Sequence, residues 1–74
     1  MTDEIIIPDS IYVGKDQVVL DGIFATRYNF VLKGKDVQII REKGRRNCDV
    51  FIEGKYSSVD ISELGNYVTE LVNE

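Results

Sequence analysis

Glycine-containing turns recur at short intervals along the chain and divide it into strand-length segments. The turn-like stretches are GKD at 14–16, DG at 21–22, KGKD at 33–36, KG at 43–44 and GK at 54–55. The segments between them are rich in valine, isoleucine, phenylalanine and tyrosine, which favour extended backbone. This pattern predicts an antiparallel meander, in which each strand pairs with the next one along the chain.

Two features near the N-terminus refine the prediction. The stretch VVLDGIFA, residues 18–25, is a strong hairpin signal because Asp-Gly readily adopts the positive φ angles of a type I′ turn. The earlier stretch IIIPDSIYV contains Pro8, whose nitrogen has no hydrogen to donate to a β-ladder. We therefore expect the first segment to lie at a sheet edge or to be irregular.

The two central hairpins predict one apolar face of the sheet. We place a two-residue loop at Gly34-Lys35 and another at Lys43-Gly44. Both registers direct the same residues to one face: Phe30, Leu32, Val37, Ile39, Cys48, Val50 and Ile52. Because side chains alternate with period two, a slip of one residue would scatter this set. We therefore expect Cys48 to be a small core residue rather than a reactive thiol.

The last part of the chain changes from strand to helix periodicity. A helix over about 61–72 is predicted by four apolar residues at helical spacing: Ile61, Leu64, Val68 and Leu71. Asp60 suits the N-cap of this helix. The predicted fold is a β-rich α+β domain over residues 1–74. It comprises an antiparallel β-meander of about five strands over 10–59, curved or resembling a small barrel, and one C-terminal helix that covers the apolar face.

The composition argues against an enzyme. The chain has no histidine and one cysteine, so it lacks the parts of Ser-His and Cys-His nucleophiles and of a single-chain zinc site. None of its 13 carboxylates forms a pair in apolar sequence surroundings. We predict no catalytic residue, metal or cofactor. No apolar run approaches a membrane span, and a lone cysteine fits a reducing compartment, so we predict a cytoplasmic domain.

Charge is distributed unevenly along the chain. The formal net charge is −4, yet residues 27–46 carry seven of the nine basic side chains and only two acidic ones. Acidic segments flank this block on both sides. One explanation is that charged hairpins keep sheet edges soluble. The other is that the basic block forms a surface for an anionic partner.

The predicted register directs attention to two arginines. It places Arg41 opposite Arg46 and beside Tyr28 in one row across three strands. Like charges opposite each other destabilise a sheet by up to about 1 kcal/mol. An acidic group of this chain, such as one on the helix, or a phosphate or carboxylate of a partner would offset this cost. The predicted partner-binding residues are Tyr28, Arg41, Arg46, Arg45, Lys43 and Arg27.

The opposite face of the sheet is a second candidate interface. Ile40 and Phe51 lie there among polar residues, where one helix cannot cover both faces. We expect a non-catalytic interaction module that binds another protein or a second copy of itself. The alternative is a nucleic-acid-binding module that uses the basic hairpins, which the net charge of −4 disfavours. A weaker alternative is an acidic inhibitor or accessory subunit that presents the helix and the N-terminus.

Overall fold

A computed structural model describes residues 5–73 and confirms the predicted fold. The strands are β1 (Ile11–Leu20), β2 (Ile23–Leu32), β3 (Lys35–Glu42), β4 (Asn47–Ile52) and β5 (Lys55–Asp60). They form one antiparallel sheet in chain order, so β1 and β5 are its edges. A 3₁₀ turn (Ile61–Glu63) and helix α1 (Leu64–Val72) follow. The predicted domain limits at residues 1 and 74 lie outside the described residues.

Three of the four strand connections are two-residue turns in which both residues have positive φ. These turns are Asp21-Gly22, Lys33-Gly34 and Glu53-Gly54. The predicted Gly34-Lys35 loop was therefore wrong by one position. In these type I′ turns glycine takes the second position, where its lack of a Cβ costs least, and a side-chain-bearing residue takes the first. Leu32 consequently pairs with Lys35.

The connection between β3 and β4 also differs from the prediction. It spans four residues, 43–46, and the Arg45 amide donates a hydrogen bond of 3.1 Å to the Glu42 carbonyl. Ile39 pairs with Val50 as a result. Both central registers are displaced by two residues from the predicted ones. Because a shift of two returns each side chain to its own face, the predicted apolar face is nevertheless correct.

The core lies between this face and α1. All seven predicted face residues are at most 5% exposed. Helix residues Leu64, Val68 and Val72 pack against them, together with Val59 of β5 and Ile7. The predicted irregular start is confirmed, since residues 5–10 form no strand. The Ser10 hydroxyl donates a 2.6 Å hydrogen bond to the Ile7 carbonyl within this segment.

Hydrogen bonds join the sheet to both ends of the helical segment. Asp60 is the N-cap residue of the 3₁₀ turn that leads into α1, and its side chain accepts a hydrogen bond of 2.9 Å from the Ser62 amide. The Ile61 amide donates to the Arg46 carbonyl at 2.7 Å, in the β3–β4 connection. At the other end, Lys35 Nζ donates to the Val72 carbonyl at 3.4 Å. None of the helical segments within residues 5–73 has the length and apolar character that a membrane crossing requires.

The β1–β2 hairpin projects beyond the rest of the sheet. Its two strands remain paired as far as Leu20 and Ile23, beside the turn. Strand β3 pairs with β2 only as far as Ala25, opposite Glu42. The β2 residues Ile23 and Phe24 therefore have no neighbouring strand on the β3 side. We call residues 19–24 the hairpin tip. The tip lies at the same end of the sheet as the basic β3–β4 connection.

Candidate functional site

Exposed apolar side chains are concentrated on the β1–β2 hairpin. Within residues 5–73, seven of the nine exposed large hydrophobic residues belong to it: Ile11, Tyr12, Val13, Val19, Leu20, Ile23 and Phe24. Single exposed apolar residues are ordinary on protein surfaces, whereas a contiguous group usually marks a contact surface. The hairpin is therefore the first candidate for a binding site.

The hairpin tip is apolar on both faces. Val19 pairs with Phe24 on the face that bears the core, and these residues are 58% and 69% exposed. Leu20 pairs with Ile23 on the opposite face, and they are 37% and 50% exposed. Apolar residues occupy consecutive positions on each side of the Asp21-Gly22 turn, and alternation along a strand sends them to both faces.

A shallow concavity of about 310 Å³ lies beside the tip. We call it the hairpin groove, and its lining includes Gln17, Phe24, Thr26, Tyr28, Arg41 and Lys43. Phe24, Thr26 and Tyr28 alternate along β2 and so share one face. Lys15 pairs with Tyr28 from β1, which places its side chain on that same face. The groove thus combines aromatic side chains of β2 with cationic side chains of β3 and the β3–β4 connection, and Lys15 of β1 stands beside it.

The structure brings two predicted site residues together in this groove, but not as the sequence suggested. Tyr28 pairs with Ile39, whereas Arg41 pairs with Thr26. Tyr28 and Arg41 are therefore diagonal neighbours on one face rather than an opposed pair. Arg41 Nε donates a hydrogen bond of 3.0 Å to the Arg45 carbonyl, which holds the guanidinium beside the β3–β4 connection.

The predicted row of Tyr28, Arg41 and Arg46 does not form. Arg46 lies in the four-residue connection, and its guanidinium donates two hydrogen bonds of 3.3 Å to the Asp60 carboxylate. The compensating acid therefore belongs to this chain and is the N-cap residue of the 3₁₀ turn before α1. Hydrogen bonds from the Ser62 hydroxyl and amide, and then from Arg46, hold the pKa of Asp60 below its usual value.

The remaining predicted basic residues are divided between this end of the sheet and its other face. Arg45 forms an ion pair of 3.3 Å with Glu42, and Lys43 lies exposed at the groove. Arg27 pairs with Asp16 across the strands on the face opposite the groove, at distances of 2.6 and 3.1 Å. This bidentate contact lowers the pKa of Asp16. Arg27 is thus separated from the groove by the sheet itself.

The second candidate interface forms a smaller patch on the face away from the helix. Ile40 and Phe51 are half-buried there. The Phe51 ring lies 5.3 Å from the ring of Tyr56, which is 60% exposed. The Tyr56 hydroxyl donates a 2.9 Å hydrogen bond to Asp49. Neighbouring side chains of the same sheet therefore cover part of this patch.

Metal-ligand groups and the thiol were the remaining candidates for reactive chemistry. Within residues 5–73, no three Cys, Asp or Glu side chains are grouped closely enough to hold a metal ion. Cys48 is 0% exposed in the core, as predicted. Burial raises the pKa of its thiol, and the nearby Arg41 charge offsets this only in part. The protonated, inaccessible form is the unreactive one.

Comparisons with protein-family models, curated proteins and solved structures gave no match for this chain. The assignment of a site therefore depends on geometry. Phe24, Val19 and Lys15 were not among the predicted site residues. The signal that could have indicated the first two is the run of consecutive apolar residues on both sides of Asp21-Gly22, which places apolar side chains on both faces of the hairpin. A single helix can cover only one face of such a hairpin, so at least one apolar face of the tip must remain exposed.

Proposed function

We propose that this chain is a non-catalytic interaction module that binds another protein, or a second copy of itself, through the β1–β2 hairpin. The observation that supports this function is the projecting tip, with Phe24 and Val19 mostly exposed on one face and Ile23 on the other. Full burial of one such side chain contributes about 1.5–3 kcal/mol. Exposed aromatic anchors of this kind commonly dominate the binding energy of protein interfaces.

Phe24 and Tyr56 provide a matched pair of variants for the test. Both are exposed aromatic residues, at 69% and 60%, but they lie on opposite faces of the sheet. Phe24→Ser is expected to abolish partner capture by the immobilised chain, and Tyr56→Ser is expected to retain it. If Tyr56→Ser abolishes partner capture and Phe24→Ser does not, the binding site lies on the other face of the sheet. Retention with both variants would refute binding through the hairpin.

Self-association requires a separate measurement. Sedimentation at several protein concentrations measures it directly. A dimer that Phe24→Ser dissociates supports the version in which the partner is a second copy. A monomer at all concentrations, for both the parent chain and the variant, restricts the proposal to another protein.

A nucleic-acid-binding module is the second candidate, and one observation favours it. Phe24 and Tyr28 share a sheet face with Lys15, Arg41 and Lys43, as stacking and phosphate contacts require. Fluorescence anisotropy with single-stranded oligonucleotides tests this candidate. Binding that weakens linearly with the logarithm of salt concentration supports it, and absence of binding at low salt removes it. The third hypothesis, an acidic accessory subunit, includes residues 1–4, which lie outside the described residues.

A further inference from the structure

We infer that the hairpin groove binds a protein segment in which an apolar side chain is flanked by carboxylates. This inference rests on the proposed function and specifies its partner. The groove offers apolar and cationic side chains at one site. Phe24, Tyr28, Arg41 and Lys43 line it. Val19 and Lys15 stand beside the lining on the same face, opposite Phe24 and Tyr28. We call Lys15, Arg41 and Lys43 the cationic rim.

The apolar part of the groove is built for an inserted side chain. Phe24 projects from the tip, where β3 no longer accompanies β2, and its ring is therefore accessible. Val19 stands directly opposite it on β1. Tyr28, half-buried against the core, forms the floor at the inner end. An apolar side chain that entered here would contact side chains carried by two paired strands, whose backbone is already ordered, and this lowers the ordering cost of binding.

The cationic rim has capacity for additional anionic contacts. Within residues 5–73, neither Lys15 nor Lys43 belongs to an ion pair, whereas Arg45 and Arg46 are paired with Glu42 and Asp60. The Glu42 carboxylate, which also contributes to the groove lining, is neutralised by Arg45. The groove therefore has an excess of positive charge in an otherwise acidic protein.

The same charges disfavour a second copy as the occupant. A two-fold contact through the groove would bring Lys15, Arg41 and Lys43 of both copies towards one another, and like charges at an interface are repulsive. A head-to-tail contact with the acidic part of another copy is heterologous, so it would build rings or open chains rather than a two-fold dimer. A separate acidic segment satisfies the groove without either difficulty.

A long nucleic acid also fits less well. The three cations form a short cluster rather than a track, and the chain as a whole carries a net charge of −4. A polyanion that extended past the groove would approach the segment 47–73, which carries five acidic side chains and one basic one. Carboxylates placed on both sides of one apolar anchor match a cluster of this size.

Selection from a displayed library of random dodecapeptides tests the inference. Peptides retained by the immobilised chain are expected to share an apolar or aromatic residue flanked by aspartate and glutamate. Lys15→Glu/Lys43→Glu is expected to weaken a selected peptide about tenfold, because it replaces two attractions by repulsions. Lys33→Glu/Lys55→Glu makes the same charge change at the opposite end of the sheet and is expected to have little effect.

The outcomes separate this inference from the proposed function. Selected peptides without acidic enrichment, or peptides equally affected by the two double variants, would overturn the inference. If Phe24→Ser nevertheless abolishes the binding of those peptides, binding through the hairpin is supported and only the preference for acidic partners is refuted. Tighter binding of single-stranded oligonucleotides than of any selected peptide would favour nucleic acid instead. Unchanged thermal unfolding of both double variants confirms that the lost contacts are local.

Discussion

Phe24 and Phe30 test the central structural argument, because they place one residue type on the same face of β2 in opposite environments. Phe30 is 5% exposed and lies in the core, with its ring 5.4 Å from that of Tyr12. Phe24 is 69% exposed at the hairpin tip. If the tip is an open contact surface, truncation of Phe24 must leave folding nearly intact, whereas truncation of Phe30 must not.

The expected magnitudes follow from burial. Phe30→Ala is expected to cost about 3–5 kcal/mol, since it removes a buried ring and leaves a cavity. A domain of this length has a total stability of about 4–11 kcal/mol, so the melting temperature is expected to fall by at least about 12 °C. Less than a third of the surface of Phe24 is buried, which limits the cost of Phe24→Ala to about 1 kcal/mol.

Urea denaturation followed by far-ultraviolet circular dichroism measures both changes in the free energy of unfolding. Phe24→Thr is a useful companion variant, since threonine retains the β-propensity that alanine lacks and so isolates side-chain packing. Equal losses of stability from the Phe24 and Phe30 variants would refute the reasoning, because Phe24 would then be a structural residue. A cost of Phe30→Ala below about 1 kcal/mol would contradict the described core.

Three further predictions concern the helix and the core. Because the folded-state pKa of Asp60 is lowered, its carboxylate stabilises the fold above the unfolded pKa of about 3.9, and this contribution disappears as the pH falls through the folded value. Asp60→Asn, whose side-chain oxygen can still cap the 3₁₀ turn, should therefore be less stable than the parent chain at pH 7 but not at acidic pH. Equal differences in stability at both pH values would contradict this assignment. Gly65→Ala should raise stability by up to about 1 kcal/mol, because alanine favours the helix more than glycine does. The added Cβ would fit, since it would lie 3.4 Å from the Ile6 carbonyl oxygen. A lower melting temperature would show that the N-terminal segment cannot accommodate the methyl group. The Cys48 thiol should react with a thiol reagent only as fast as the protein opens, so the labelling rate should rise with urea concentration. Rapid labelling of the native protein would contradict the burial of Cys48.

The hairpin can present apolar side chains because its edge is protected in other ways. An irregularity between Tyr12 and Gly14 interrupts the regular pairing of β1. Lys15 and Asp16 place charge in the middle of the same edge strand. Bulges and charged residues are the usual means by which exposed edge strands avoid pairing with other chains. Contacts through the hairpin are therefore expected to use side chains at the tip and groove rather than extension of the sheet.

Cross-strand contacts also hold the projecting hairpin in shape. The bidentate Arg27–Asp16 pair joins β2 to β1, and the Asn29 side chain donates to the Gly14 carbonyl at 3.3 Å. These contacts lie on the face opposite the groove. Arg27, a predicted partner contact, is thus placed where it braces the strands that carry the site.

The sequence was sufficient to predict the layers of the fold. Alternation with period two assigned residues such as Ile39 and Val50 to one face, and that assignment survives any register shift of two residues. The change to helical period after residue 59 and the suitability of Asp60 as a cap located the helix. These features are local, so they can be read without knowing which strands are neighbours.

The tertiary structure decided the register and, with it, the site. A shift of two residues leaves the apolar pattern unchanged but moves Arg41 away from Arg46 and brings Arg46 to Asp60, 14 positions along the chain. Exposure of Phe24 likewise depends on where β3 ends, which no pattern within the hairpin encodes. Periodicity determines which face a side chain occupies, whereas its neighbours and its burial depend on the elements that pack beside it.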